Sequence, residues 1–141
     1  MVKKTADANF LKTLDYCMKH SKFYQRHFRN VDLSKIKGID DISKLPFTTK
    51  DDIAEFSEDF QCVADKEIVE IATTSGSTGR PLMLKYTKKD LERLALNEHL
   101  AFHNAGLDAN DKVLISVTID KCFIAGLAYY IGLNSIGAAS V

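Results

Sequence analysis

Seven consecutive residues, Thr73 to Gly79, are all Gly, Ser or Thr. They lie between two runs that read as strands, Val69 to Thr73 and Leu82 to Tyr86, so the chain must leave one strand and re-enter the next through this segment. Gly76 and Gly79 can take positive φ, which turns successive N–H groups toward one point. Such a nest binds anionic oxygens. The hydroxyls of Thr74, Ser75, Ser77 and Thr78 add donors that rotate to suit a moving anion. Arg80 places a positive charge beside them and Pro81 stiffens the exit. Composition alone leaves two readings open, an anion cradle and a plain hairpin turn, because hydroxyl-rich hairpin loops are common. A Walker A loop is excluded, since no lysine follows Gly79.

Around this loop the apolar pattern falls into clear elements. Phe10, Leu11, Leu14, Cys17, Met18, Phe23, Tyr24 and Phe28 recur at helical spacing over residues 8–28, with a break near Ser21, which is placed to cap a second segment. Residues 29–66 are choppy. Leu45-Pro46-Phe47 reads as extended, since proline pushes its predecessor out of the helical region. Thr48 or Thr49 caps a helix that begins at Lys50, with Asp51 and Asp52 in its first turn. Thr87 caps a long helix from Lys88 to about Ala105, with Leu91, Leu94, Ala95 and Phe102 on its inner face, and Gly106 ends it. Val113 to Val117 reads as a fully buried parallel strand, Phe123 to Ile136 as a helix, and Gly137 to Val141 as a turn into a further strand. Together these make a β-α-β unit cut at its second strand. Its open edge leads us to expect a truncated chain that self-associates as a homo-oligomer.

The nineteen basic residues balance nineteen acidic ones, which argues against a nucleic-acid surface. Cys17, Cys62 and Cys122 match neither a disulfide framework nor a zinc pattern and read as reduced thiols of a cytoplasmic protein. The apolar stretch 122–141 carries glycines, two serines and an asparagine. It fits a buried helix and strand better than a membrane span. His99 and His103 have a spacing that can hold zinc, but no third ligand accompanies them, so they read as surface or half-buried histidines. Cys122 precedes an apolar helix and reads as a buried structural cysteine rather than an activated thiol. No metal site and no membrane contact is expected.

The segment T-S-G-S-T-G-R-P, Thr74 to Pro81, resembles the phosphate loop of the adenylate-forming superfamily of acyl-CoA synthetases, peptide-synthetase adenylation domains and luciferases. Its surroundings resemble phenylacetate-CoA ligases in particular. Phe23-Tyr24-Gln25-Arg26-His27-Phe28 is similar to their F-Y-x-x-x-F, and Leu45 to Ile53 to their L-P-F-T-x-K-x-D-L. Tyr86-Thr87 with Asp90-Leu91 is similar to Y-T-x-x-D-L, and Asp111 to Leu114 to their G-D-x-V-L strand entry, with Asn110 in the glycine's place. Two departures stand out. Leu82 follows the loop proline where many members have lysine, and Thr118-Ile119-Asp120-Lys121-Cys122 replaces a Tyr/Gly-rich stretch near the acyl pocket.

The resemblance implies an α/β fold, the truncated start of the adenylate-forming large domain. Residues 1–66 would be an N-terminal helical region and 67–141 a partial ATP-binding α/β region with a β-α-β unit. It implies an AMP-forming ligase joining a small-molecule carboxylate to coenzyme A, with ATP and Mg²⁺. Thr74, Ser75, Gly76, Ser77, Thr78, Gly79 and Arg80 would hold the phosphates. The adenine site, ribose aspartate and lid lysine of the family would lie beyond Val141, so no catalytic residue is expected here and the chain alone is expected to be inactive. The competing reading is a truncated homologue that only binds or assembles.

Overall fold

The computed structural model describes residues 2–74, 81–117 and 123–141. It divides into two compact units, Met1–Ala64 and Asp65–Val141.

The first unit is helical. Helix α1 spans Val2–His20 and α2 spans Lys22–His27. Asp7, Phe10, Leu11, Leu14, Cys17 and Met18 are the half-buried stripe of α1, at spacings of three and four. The helix starts at Val2, earlier than the apolar pattern does. Ser21 sits between the helices with no exposed surface. Its N–H closes the last turn of α1 on the Cys17 carbonyl (2.8 Å). Its hydroxyl accepts from the Tyr24 N–H and donates to the Asp59 carbonyl (2.9 Å), so the expected break is a satisfied N-cap. Beyond it Phe23 is buried, stacked on Phe60 at 4.0 Å and on the His27 ring at 4.8 Å. Arg26 bridges Asp59 at 2.7 Å and lies over the Phe56 ring. Helix α3, Lys50–Phe56, begins in a capping box in which Thr49 and Asp52 satisfy each other's backbone N–H groups. The choppy residues around it form short 3-10 turns at Leu33–Lys35, Ile39–Lys44 and Ser57–Phe60.

The second unit opens with a 3-10 turn, Asp65–Glu67, followed by strands β1, Ile68–Thr73, and β2, Met83–Thr87, paired antiparallel. Helix α4, Lys88–Asn104, follows β2 without a linker residue. Thr87 and Asp90 form a capping box, and Gly106, at φ 93°, ends the helix. Leu91, Leu94, Ala95 and Phe102 are half-buried along α4, as the sequence pattern requires. Strand β3, Lys112–Val113, helix α5, Ile124–Ile136, and strand β4, Ala139–Ser140, make the expected β-α-β unit with a parallel pair. Gly137, at φ 87°, turns the chain from α5 into β4. Among the described residues no helix is long and apolar enough to cross a membrane.

One expectation is corrected. Val113 to Val117 is not a fully buried strand. Ladder bonds continue to Ile115 through the Val141 carbonyl (2.9 Å), but regular strand ends at Val113 and Leu114 is 74% exposed. The side chains alternate between half-buried and exposed because, among the described residues, β4 alone pairs with β3. The expected hydroxyl-rich loop 75–80 and Thr118 to Cys122 lie outside the described residues.

Helices α4 and α5 meet most closely at Gly132. A methyl group there would overlap Glu98 Cβ and stand 3.4 Å from the Glu98 Cα and carbonyl carbon. Backbone and Cβ atoms cannot swing aside as a flexible side-chain end can. Alanine gains about 1 kcal/mol of helix propensity over glycine, while overpacking costs about 1–3 kcal/mol. Gly132→Val should therefore lower the unfolding midpoint in urea by more than Gly132→Ala does. Two midpoints at or above that of the parent would contradict the close crossing.

The α4 cap sets a pH dependence. Burial pushes the Asp90 carboxyl up, and hydrogen bonds from the Thr87 backbone and hydroxyl and from Arg93 outweigh it, so its pKa is lowered. The unfolded chain then takes up the proton first. The stabilisation is complete above the ordinary value of 3.8 and is lost as pH falls through the lower folded value. Asp90→Asn should cost roughly 0.3–1 kcal/mol at neutral pH, and the difference from the parent should vanish in acid. Urea titrations at pH 7 and well below 3.8 measure it.

Candidate functional site

The candidate site is built on the β1–β2 hairpin. Register runs from Ile68 opposite Thr87, through a bulge, to Glu70 opposite Tyr86, Ile71 opposite Lys85, Ala72 opposite Leu84 and Thr73 opposite Met83. One bond pair extends it past the last strand residues. The Thr74 N–H donates to the Leu82 carbonyl at 3.0 Å. The Leu82 N–H donates to Thr74 Oγ1, also at 3.0 Å. A side-chain oxygen takes the place of a backbone carbonyl in closing the ladder.

This clamp fixes both ends of the segment 75–81 at one end of a twisted ribbon. Ala72 and Leu82 are buried beneath it, Leu82 at 8% exposure. The other end of the ribbon is fixed by the Thr87 cap of α4, where Asp90 Oδ2 receives both the Thr87 N–H (2.8 Å) and its hydroxyl (2.7 Å). Tyr86, next to this cap, has its phenol pKa pushed up by burial and by the Asp90 charge, so it stays neutral. The loop thus leaves from a frame held at both ends.

Of the residues singled out in the sequence, Thr74 is placed by the structure at the root of the loop. Ser75, Gly76, Ser77, Thr78, Gly79 and Arg80 lie outside the described residues. Sequence reasoning missed the part played by Leu82. It noticed only a departure from the resembled pattern there; in the structure the side chain is buried and the backbone closes the clamp. Among the described residues no group of three His, Cys, Asp or Glu converges on a metal position. In the first unit, an open cleft lies beside Phe23, Arg26, Arg29 and Asp52, where Arg26 pairs with Asp59 and Asp52 closes the Thr49 cap. The Asp52 carboxyl is pulled below its ordinary value chiefly by the Thr49 hydroxyl.

Comparison with known proteins matches this picture. No family model matches the chain. It is similar to the phenylacetate-coenzyme A ligase of Escherichia coli (strain K12), 27% identical over 132 residues, covering 92% of this chain and 30% of that protein. Its similarity to the enzyme of the same name from Thermus thermophilus is 28% over 130 residues, covering 89% of this chain and 29% of that one. The chain therefore spans about a third of the length of the curated relatives it matches. Among solved structures, 2-hydroxyisobutyryl-CoA ligase bound to 2-HIB-AMP and CoA in its thioesterification state superposes with a TM-score of 0.88 at 22% identity. The match covers 99% of this chain and 31% of that one. An open conformation of the same ligase gives 0.87 at 20% identity. The fold is that of the N-terminal part of an adenylate-forming ligase, and the resemblance read from the motifs is met by relatives that are acyl-CoA ligases.

The clamp can be tested directly. Thr74→Val keeps the strand-favouring shape and removes the oxygen that accepts from Leu82. A lost neutral hydrogen bond is worth about 1 kcal/mol, or roughly a fivefold change in an opening equilibrium. Amide exchange at Leu82 should speed up by about that factor in Thr74→Val and stay near the parent rate in Thr74→Ser. An unchanged rate in Thr74→Val would mean that the clamp carries no weight.

Proposed function

We propose that this chain is the N-terminal part of an AMP-forming carboxylate–CoA ligase, and that Thr74, Ser75, Gly76, Ser77, Thr78, Gly79 and Arg80 hold the β- and γ-phosphates of ATP. One observation carries the reading: the Thr74–Leu82 clamp, which pins both ends of a seven-residue stretch rich in donors at the end of a braced hairpin. A plain turn needs no such length between its closing residues. A cradle for a triphosphate does, because its N–H groups and hydroxyls must converge on several oxygens.

The reaction has two halves. The carboxylate attacks the α-phosphorus of ATP, the bond to the β-phosphate oxygen breaks, and acyl-AMP and pyrophosphate form. The thiol of coenzyme A then attacks the acyl carbon and AMP leaves. The loop contributes to the first half, by holding the two phosphates that become the leaving group and by countering the charge that builds on them. Arg80 adds a fixed cation. Mg²⁺ accompanies ATP in such chemistry. The described residues offer no set of carboxylates to hold it, so no step here is assigned to it. The adenine, the acyl group and the coenzyme A would be bound by residues outside this stretch, and the chain by itself is not expected to form acyl-AMP.

The test separates the halves in the longer protein. Thr78 supplies an N–H and a hydroxyl. Gly79 can take a positive φ, which would cost a side-chain-bearing residue roughly 1–2 kcal/mol. A charge-assisted hydrogen bond to phosphate is worth about 1.5–3 kcal/mol, or roughly ten- to a hundredfold in rate where it acts only in the transition state. Thr78→Ala and Gly79→Val should slow carboxylate-dependent pyrophosphate exchange by that much or more. Thioester formation from pre-made acyl-AMP should be nearly unaffected, because no pyrophosphate remains to be held. Equal losses in both halves would make the loop a structural element and overturn the assignment.

A further inference from the structure

Helix α4 carries a second arrangement that the phosphate loop does not use. We propose that His99 and His103 form an open two-histidine site for a divalent transition-metal ion of the copper, nickel and zinc group. The two residues stand one turn apart on the same face of α4. Their ring centres are 6.3 Å apart and the rings are tilted by 33°. A metal ion binds an imidazole nitrogen at about 2.0–2.1 Å and the ring centre lies roughly 1.2 Å behind that nitrogen, so two ring centres up to about 6.4 Å apart can share one ion. A tetrahedral angle at the ion corresponds to centres roughly 5.2 Å apart. Reaching it requires the ring centres to close by about 1 Å, and the exposed His103 side chain has room to rotate.

A second observation fixes which nitrogen is offered. The Ser135 hydroxyl lies 2.6 Å from the Gly132 carbonyl. A carbonyl only accepts, so the single hydroxyl proton is spent there. Ser135 Oγ also lies 3.0 Å from His99 Nδ1, and with its proton committed it accepts in this second contact. His99 Nδ1 therefore carries a proton, and Nε2 is the nitrogen left for a ligand. Metal-binding histidines are held in this way, one ring N–H donated to a neighbouring oxygen that orients the ring and raises the basicity of the other nitrogen. Gly132 both admits the close approach of α4 and α5 and supplies the carbonyl that orients Ser135. The ring is therefore set by the helix crossing.

With no third His, Cys, Asp or Glu converging among the described residues, the ion would keep water in its remaining positions. That makes the site open and exchangeable rather than a closed structural one. Imidazole ligation favours Cu²⁺ over Zn²⁺ in the usual order.

The experiment is a calorimetric titration of the metal-free chain with Cu²⁺ and with Zn²⁺, alongside ¹⁵N-histidine spectra recorded with Zn²⁺. The proposal expects one ion per chain, tighter binding of Cu²⁺ than of Zn²⁺, and shifts at Nε2 of His99. His103→Gln alters an exposed side chain and should leave the circular dichroism unchanged while weakening binding at least tenfold. Ser135→Ala should weaken it by about tenfold through loss of ring orientation. Because thiols also bind these ions, the titration is repeated after alkylation of the cysteines, and binding should survive. Binding that is unchanged in His103→Gln, or that disappears on alkylation, assigns the ion to the thiols and overturns the proposal. So does the absence of heat and of any histidine shift at millimolar Zn²⁺.

Discussion

The second unit depends on the contact between α4 and α5 at Gly132. Glu98 approaches Gly132 so closely that a Cβ added there would overlap the Glu98 Cβ, and Leu133, the next residue, has no exposed surface. Both sheets hang from this crossing. Strand β2 ends at Thr87 and α4 begins at Lys88, so the hairpin is joined to the first helix by a cap with no intervening linker. Helix α5 ends at Gly137 and β4 starts at Ala139, so the parallel pair is placed by the second helix. Neither two-stranded sheet would persist alone, since an isolated ribbon is marginal in water. Each is tied, within two residues, to a helix packed against the other.

The features read correctly from sequence are those with a local mechanism. Ser21, Thr49 and Thr87 each put a hydroxyl where a helix must begin, and each is found bonded to the expected N–H. Gly106 and Gly137 both take the left-handed conformation that ends a helix. The stripe on α1 and the inner face of α4 follow from spacing alone. The misread parts depend on partners far along the chain. A β-branched run such as Val113 to Val117 looks the same whether one neighbour or two will flank it, and only the second case buries both faces. The 3-10 turns of the first unit left no periodic trace, since three or four residues are too few to make one. The His99–Ser135 bond joins residues 36 apart, and nothing near either residue announces it.

The loop itself was legible as a motif, whereas its anchoring was not. Seven hydroxyl and glycine residues say that a stretch can present donors. They do not say where its ends are fixed, and without fixed ends a donor-rich loop loses through entropy what it gains in bonds. The missing information was in Thr74 and Leu82, which bond reciprocally across the mouth of the loop. Threonine serves here because one residue supplies both the N–H that donates to Leu82 and the oxygen that accepts from it, with a β-branched shape that suits the strand it terminates.

Leu82 is accounted for by its surroundings. At 8% exposure its side chain belongs to the core beneath the hairpin, where an ammonium group would have to be desolvated without a partner. The position works in this chain as an apolar plug that holds the root of the loop, and its backbone supplies half of the clamp. In the proposed phosphate-holding role, positive charge would then come from the loop. Arg80, two residues before Leu82, is the cation available within it. In the proposed role, charge would come from Arg80 and anchoring from Leu82. The clamp itself is made of neutral groups, so its two bonds need no anion in order to form.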